Sequence, residues 1–335
     1  MQHDIIGTLP LREKMIAAGI PLGTVAGGKI YRGIVSGLNK AFLIDGAKRA
    51  ALIVESPKAV DIIKPYLGGK HVRKWVCEYP DQWMIYMPHG VSKEGLDAVL
   101  DHLRPFKKQL EARATEHEWY ELQQPQEKFI AAYSQTKIIF PDIANDLRFA
   151  LDTKGTFISN TAYCVATDDL YLLAVLNAKA TQYFYVNISP RISGGYFRFW
   201  TKYVEQIPVP TATTDQRPVI VNLVDHLLFL HRQPSVTKSD PAHPRDPLIA
   251  DYFEQWLNAL VYELFFPEEL HAQKLNFFMV SSKAVLPPLE SLPNNERLPH
   301  LRDFFEKLYD LNHALRASLF SLGSLELVRI IEGGK

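Results

Sequence analysis

The sequence predicts an α+β protein in which a mixed-sheet region is followed by a C-terminal helical bundle. Three observations carry this. Short apolar runs of strand character recur between residues 82 and 167, each bounded by turn residues. Beyond residue 211 the apolar residues return at three- and four-residue spacing, as one buried helix face requires. The 335 residues also exceed what one hydrophobic core usually organises. The expected division is a helical lead-in and linker over 1–28, a mixed-sheet domain over 29–210, and a helical spacer or bundle over 211–335.

Taken in order, residues 11–18 read as a short helix, followed by a glycine-rich link containing Gly19, Gly23, Gly27 and Gly28. Residues 29–45, KIYRGIVSGLNKAFLID, read as a hairpin with two apolar arms around Ser36, Gly37, Leu38 and Asn39, because glycine and asparagine tolerate the positive φ of a tight reversal. Ser56 and Pro57 suit the start of a short helix that Pro65 ends. Strand character follows at 82–87, and amphipathic helices at 91–104 and 105–113, with Phe106 and Leu110 one turn apart. Short strands are expected at 137–140, 149–151, 156–158 and 163–167. Asp168 would cap a helix over 170–179. Long helices are expected over 219–230, from Asp246 onward with Ile249, Tyr252, Phe253, Trp256, Leu257, Leu260 and Leu264 on one face, and around Leu301 to Leu315.

Net charge is zero, which argues against a surface that is basic throughout. Its distribution is uneven. Residues 1–115 carry 17 basic and 11 acidic groups, 116–247 carry 12 and 14, and 248–335 carry 8 and 12, so the N-terminal third is the part suited to phosphates. The two cysteines, Cys77 and Cys164, lack metal-ligand spacing and point to a reducing compartment. With no signal-like start and no apolar run of bilayer length, a soluble cytoplasmic protein is expected.

Three stretches combine cations with glycine or aromatic residues. Arg32, Asn39 and Lys40 flank the turn of 29–45. Lys70, Arg73 and Lys74 lie between Gly68-Gly69 and Trp75, where a backbone without side chains can approach a ligand closely. In RISGGYFRFWTKYVEQIPVP, Arg191, Arg198 and Lys202 alternate with Tyr196, Phe197, Phe199, Trp200 and Tyr203, a pattern that suits nucleic acid because rings stack while cations neutralise backbone charge. The same residues equally suit an edge hairpin with inward rings and outward cations.

Catalytic signatures are sparse. Pro141-Asp142 followed by Asp152-Thr153-Lys154 spells the PD-(D/E)xK pattern of Mg²⁺-dependent nucleases, in which two carboxylates hold the metal and a lysine supports the attacking water. Asp152-Thr153-Lys154-Gly155 also reads as a turn. No phosphate loop, GxSxG elbow, HExxH or paired CxxC occurs, so neither catalytic nor metal-ligating residues are assigned.

In order along the chain, IYRGIVSGLNKAFLID, IIKPYLGGKHVRKW, FKKQLEAR with WYELQ, KIIFPDI, LYLLAVLNAKATQYFY, GGYFRFWTKYVEQIPVP and LNALVYELF resemble the C-terminal specificity region of Type IIG restriction-modification enzymes and related adenine-N6 DNA methyltransferases. The resemblance covers roughly residues 10–270. It implies a target recognition domain of a phage-defence system that reads double-stranded DNA beside a methyltransferase domain or subunit, which flips and methylates an adenine. Neither the Asn-Pro-Pro-aromatic motif nor the glycine-rich S-adenosylmethionine motif of such enzymes occurs in this chain. S-adenosylmethionine and Mg²⁺ are therefore expected only in a catalytic region outside it, the chain being a C-terminal fragment or separately encoded subunit with no methylation of its own. On this reading Arg32, Asn39, Lys40, Lys70, Arg73, Lys74, Arg191, Arg198 and Lys202 are the expected DNA contacts, working as major-groove readers and phosphate clamps. The alternatives are the Mg²⁺-dependent nuclease and a protein-interaction module of a phage-defence system.

Overall fold

The computed structural model describes residues 8–113, 116–238 and 240–333. Its strands are short: β1 Gly19–Pro21, β2 Ile30–Arg32, β3 Leu43–Ile44, β4 Ile63–Leu67, β5 Trp75–Val76, β6 Trp83–Ile85, β7 Lys137–Pro141, β8 Ile143–Ala144, β9 Ala150–Asp152, β10 Phe157–Ile158, β11 Ala162–Val165, β12 Phe197–Arg198 and β13 Pro208–Pro210. A five-stranded mixed sheet of order β2-β11-β7-β9-β5 lies at the centre, and a four-stranded sheet of order β10-β4-β6-β3 packs beside it. Two-stranded pairs form between β1 and β13 and between β8 and β12. The architecture is α+β.

The central sheet is covered on both faces, which explains why β7 (KIIFP) and β11 (AYCV) are continuously buried rather than alternating. Successive side chains point to opposite faces. Ile138, Phe140, Leu151, Tyr163 and Val165 enter one core, while Ile139, Ala150, Ala162 and Cys164 enter the other. The first core continues through the helices Leu170–Asn177, Lys179–Val186, Gln216–Leu230 and Asp246–Phe265 to Leu301, Phe305 and Leu308. The change in secondary structure near residue 210 is therefore not a break in packing. Helix Leu170–Asn177 is buried from Tyr171 to Asn177, as expected for an apolar helix wedged between a sheet and further helices.

Several local expectations are overturned. Residues 29–45 do not form a hairpin: β2 pairs with β11, β3 pairs with β6, and Asn39–Phe42 is helical. Gly33 and Ile34 carry the chain across to Ile158 and Ser159, so the two apolar runs enter different sheets. The glycine-rich link is not a loose tether, since β1 pairs with β13 and Leu11, Met15 and Leu22 are in the core; residues 1–7 lie outside the described residues. Ser56 caps no helix of its own, because its Oγ accepts from Ala98 N at 3.1 Å. Pro65 lies inside β4, at a point paired only to β6, where its missing N–H costs no ladder bond on the β10 side. The helix cap is Asp169 rather than Asp168, its Oδ1 accepting from Tyr171 N at 2.9 Å and Leu172 N at 3.3 Å.

Candidate nucleic-acid interface

Strand polarity sets the geometry. β2 and β7 run in one direction while β11, β9 and β5 run in the other, so Arg32, Asp142, Thr161 and the loop before β5 all emerge at one end of the central sheet. There, β8 and β12 form a small ribbon with Arg198 opposite Ile143. Period-two alternation then sorts residues 197–200. Phe197 and Phe199 are buried, with Phe199 stacked on Tyr185 at 4.8 Å, while Arg198 is half-buried and Trp200 is exposed. The ribbon is pinned from below, where Tyr185 Oη and Ser189 Oγ donate to Arg198 O at 2.6 and 3.0 Å.

The outward side chains form one aromatic and cationic surface. Trp200 and Tyr203 are near-parallel with centroids 6.3 Å apart, and Lys202 lies 5.1 and 4.8 Å from their respective ring centres. Arg198 is 5.6 Å from the Trp200 ring and Arg191 is 5.4 Å from the Phe197 ring. Gly194 and Gly195, both at positive φ, turn the chain that presents exposed Tyr196. Arg198 Nη1 also donates to Asp142 Oδ2 at 3.2 Å, while Asp142 Oδ1 is buried with no partner among the described residues. Arg32 belongs to the same neighbourhood: burial pushes the Tyr163 phenol up, Asp142 adds to this, and Arg32 and Arg198 oppose it.

The glycine loop adjoins this end. Gly69 fits so closely against Thr161 that an added Cβ would come within 2.2 Å of its carbonyl oxygen, and Gly69 N donates to Thr161 Oγ1 at 2.9 Å. Lys70 is exposed beside it, without an ion pair among the described residues. Arg73 is bidentate to Glu78 (3.0 and 2.8 Å) and donates to Lys70 O at 2.7 Å. Lys74 pairs with Glu254, which also accepts from Trp75 Nε1 at 2.6 Å and lies 3.2 Å from His231 Nε2. Burial alone would raise the Glu254 carboxyl, but the bonds from His231, Lys74 and Trp75 outweigh it and hold the group at about 2.

Asn39 and Lys40 lie apart from both groups. Ser36 Oγ donates to Asn39 Oδ1 at 2.6 Å, and Lys40 lies 5.8 Å from the Phe106 ring centre. Arg113 fixes this corner, its guanidinium donating to the carbonyls of Ser36, Leu110, Trp119 and Glu121 at 2.9 Å each. Sequence reasoning missed Arg113, because all four acceptors are backbone atoms that leave no sequence pattern.

The nuclease spelling does not assemble a metal site. Asp152 is bound to Lys137 at the start of β7, and Asp142 follows its end, so five strand steps of about 3.3 Å, roughly 16 Å in all, separate them. Carboxylates sharing one Mg²⁺ place their oxygens within roughly 5 Å of each other. Both Asp152 oxygens are also fully engaged: Oδ2 accepts from Lys137 Nζ (2.5 Å), Thr156 N (2.8 Å) and Thr156 Oγ1 (2.8 Å), and Oδ1 from Tyr79 Oη (3.1 Å) and Lys154 N (3.0 Å). The turn is the structural outcome.

Comparison with known proteins finds similarity to methyltransferases and restriction-modification enzymes. Over 191 residues the chain is 24% identical to the Type II methyltransferase M.BanIII of Aneurinibacillus aneurinilyticus, covering 51% of this chain and 33% of that protein. Over 211 residues it is 25% identical to the Type II methyltransferase M.PaeR7I of Pseudomonas aeruginosa, covering 59% and 35%. The chain thus spans about a third of the length of these relatives. Among solved structures, the Type IIL restriction-modification enzyme MmeI in complex with DNA shares the fold, with a TM-score of 0.53 at 12% identity over 86% of this chain and 36% of that one. A family model described as the TaqI-like C-terminal specificity domain matches residues 64–209, which contain the glycine loop, β7 and the aromatic and cationic ribbon.

Proposed function

We propose that this chain recognises a short sequence in double-stranded DNA as the specificity part of a restriction-modification enzyme whose methyltransferase part lies outside it. The observation that carries this is the ribbon at 191–203, where Arg198 and Lys202 pack against Trp200 and Tyr203, with exposed Arg191 and Tyr196 on the turn leading into it, within the matched segment. Cations there would set register on phosphates, and side chains from the adjoining loops would read base edges in the major groove. Arg32, Lys70 and Arg73 would extend the contact from the same end of the sheet, and Lys74, Asn39 and Lys40 would act at its margins. S-adenosylmethionine, and Mg²⁺ where cleavage accompanies methylation, would serve the catalytic part. Arg198 would exchange Asp142 for a phosphate or base on binding, since a half-buried pair 3.2 Å long is weakly held.

The test is selection of bound sequences from random duplex DNA by the 335-residue chain, followed by gel shifts on the selected site with Arg32→Ala, Arg73→Ala and Arg198→Ala. Enrichment of one motif and weaker binding by the variants is the expected result. A bidentate base contact would contribute about 1–3 kcal/mol of discrimination. Unchanged affinity in all three variants at moderate salt would overturn the assignment.

A further inference from the structure

A second basic surface lies outside the ribbon. A cleft of about 1000 Å³ opens between the β5 edge and the turn after helix Gln216–Leu230, lined by Arg73, Lys74, Lys154, Arg232 and Lys238 with Glu78. Arg73 is neutralised by Glu78 and Lys74 by Glu254. Lys154, Arg232 and Lys238 are all exposed and form no salt bridge among the described residues, although Arg232 lies near enough to Asp225 to oppose the upward push of burial on its carboxyl. Two segments distant in sequence thus bring three cations without a salt bridge to one cleft, where low-dielectric walls of Val76, Leu151 and Tyr79 focus their field.

Lys154 is held in place. Its backbone N–H donates to Asp152, and its ammonium lies 4.2 Å from the centre of the Tyr79 ring, whose hydroxyl also bonds Asp152. The saturated carboxylate at the foot of β7 therefore fixes the turn that presents this cation. The loop containing Lys70, Arg73 and Lys74 connects the cleft to the ribbon, because Gly69 abuts Thr161 at the end where Asp142 and Arg198 lie, and Arg73 and Lys74 line the cleft.

We infer that this cleft is a phosphate-binding site for the backbone of the same duplex, through Lys154, Arg232 and Lys238, so that the helical half of the chain contacts DNA directly. The inference rests on the DNA-recognition reading above. A duplex suits the cleft better than a small anion, because a small-ligand site converges a few well-placed polar groups, whereas these cations are exposed tips spread over two separate turns.

The experiment measures the salt dependence of duplex binding by the 335-residue chain, comparing wild type with Lys154→Gln, Arg232→Gln and Lys238→Gln singly and together, with thermal midpoints as a check on folding. Each lost phosphate contact should make the slope of log K against log salt shallower by about 0.9, with the preference for the selected sequence over a scrambled one unchanged. Arg232→Lys should retain the wild-type slope. Unchanged slopes in folded variants, while Arg198→Ala still weakens binding, would overturn the inference and leave the recognition reading standing. A wild-type chain that binds no duplex at low salt would overturn both. Saturable binding of inorganic pyrophosphate, lost in the triple variant while duplex slopes stay fixed, would reassign the cleft to a small anion.

Discussion

The two ends of β7 use the same chemistry for opposite purposes. At its start, Lys137 and Asp152 pair with both side chains fully buried, and five donors saturate the carboxylate. At its end, Asp142 receives one guanidinium at 3.2 Å, and its second oxygen has no partner among the described residues. A buried ion is tolerable only when its lone pairs are filled, so the first end can act as scaffold. The second has polarity to spare and lies beneath exposed rings and cations. Aspartate beside a cation therefore says little about purpose until its donors are counted.

The largest expected difference between the two ends is in stability. Asp152→Ala strands the Lys137 ammonium in the core and should cost about 3–5 kcal/mol in urea unfolding. Asp142→Ala, at a partly solvated pair whose second carboxylate oxygen already lacks a partner, should cost no more than about 1 kcal/mol. Comparable losses at both sites would erase the distinction between scaffold and surface.

Glu254 extends the comparison to the loop that ties the ribbon to the cleft. Its carboxyl titrates near 2 in the folded chain against an ordinary value of 4.5, so it is a depressed acid. Its stabilisation is complete above about pH 4.5 and is lost as pH falls toward 2, and at neutral pH it amounts to roughly 3 kcal/mol. Unfolding midpoints at pH 7, 4 and 3 should show Glu254→Gln converging on wild type as the pH drops. A gap that stays constant would mean that the bonds from His231, Lys74 and Trp75 do not set this titration.

Arg198→Ala inverts the pattern seen at Asp152. Stability should change by less than about 1 kcal/mol, because the side chain is about a third exposed and its carbonyl still accepts from Tyr185 and Ser189. Duplex affinity should fall by about 1–3 kcal/mol if the guanidinium reads a base. Competition gel shifts alongside thermal melts separate the two quantities.

What could be read from the sequence follows from how local its causes are. β7 and β11 were legible because strands buried on both faces are continuous apolar runs, and Asp246–Phe265 because its buried face repeats every three to four residues. The supposed hairpin at 29–45 was not, because β2 and β3 take partners distant in sequence and nothing local specifies that choice. The aromatic and cationic alternation at 191–203 signalled its surface directly. The partners of Arg73, Lys74 and Arg198 were legible only in part: Glu78 is five residues from Arg73, whereas Glu254 is 180 residues from Lys74. Arg232 and Lys238 gave no signal, because a basic cleft assembled from separate turns has no local pattern.

The smallest effect probes the open end of β7 most finely. Asp142→Asn keeps the size of the side chain but removes the charge that engages Arg198 and lies beneath the proposed phosphate path. Releasing the guanidinium and deleting one repulsive carboxylate should both favour DNA, each by the modest amount expected at a partly solvated site, about 1 kcal/mol together, or roughly fivefold in affinity. The gain should shrink as salt is raised, since it is electrostatic in origin. An independent readout comes from Tyr163, whose phenol is pushed up first by burial and then by Asp142, so neutralising Asp142 should lower its titration without restoring the ordinary value. Tighter binding together with that downward shift would establish that Asp142 restrains Arg198. A downward shift with unchanged or weaker binding would show that Arg198 is held by the ribbon and plays no part in capturing the duplex.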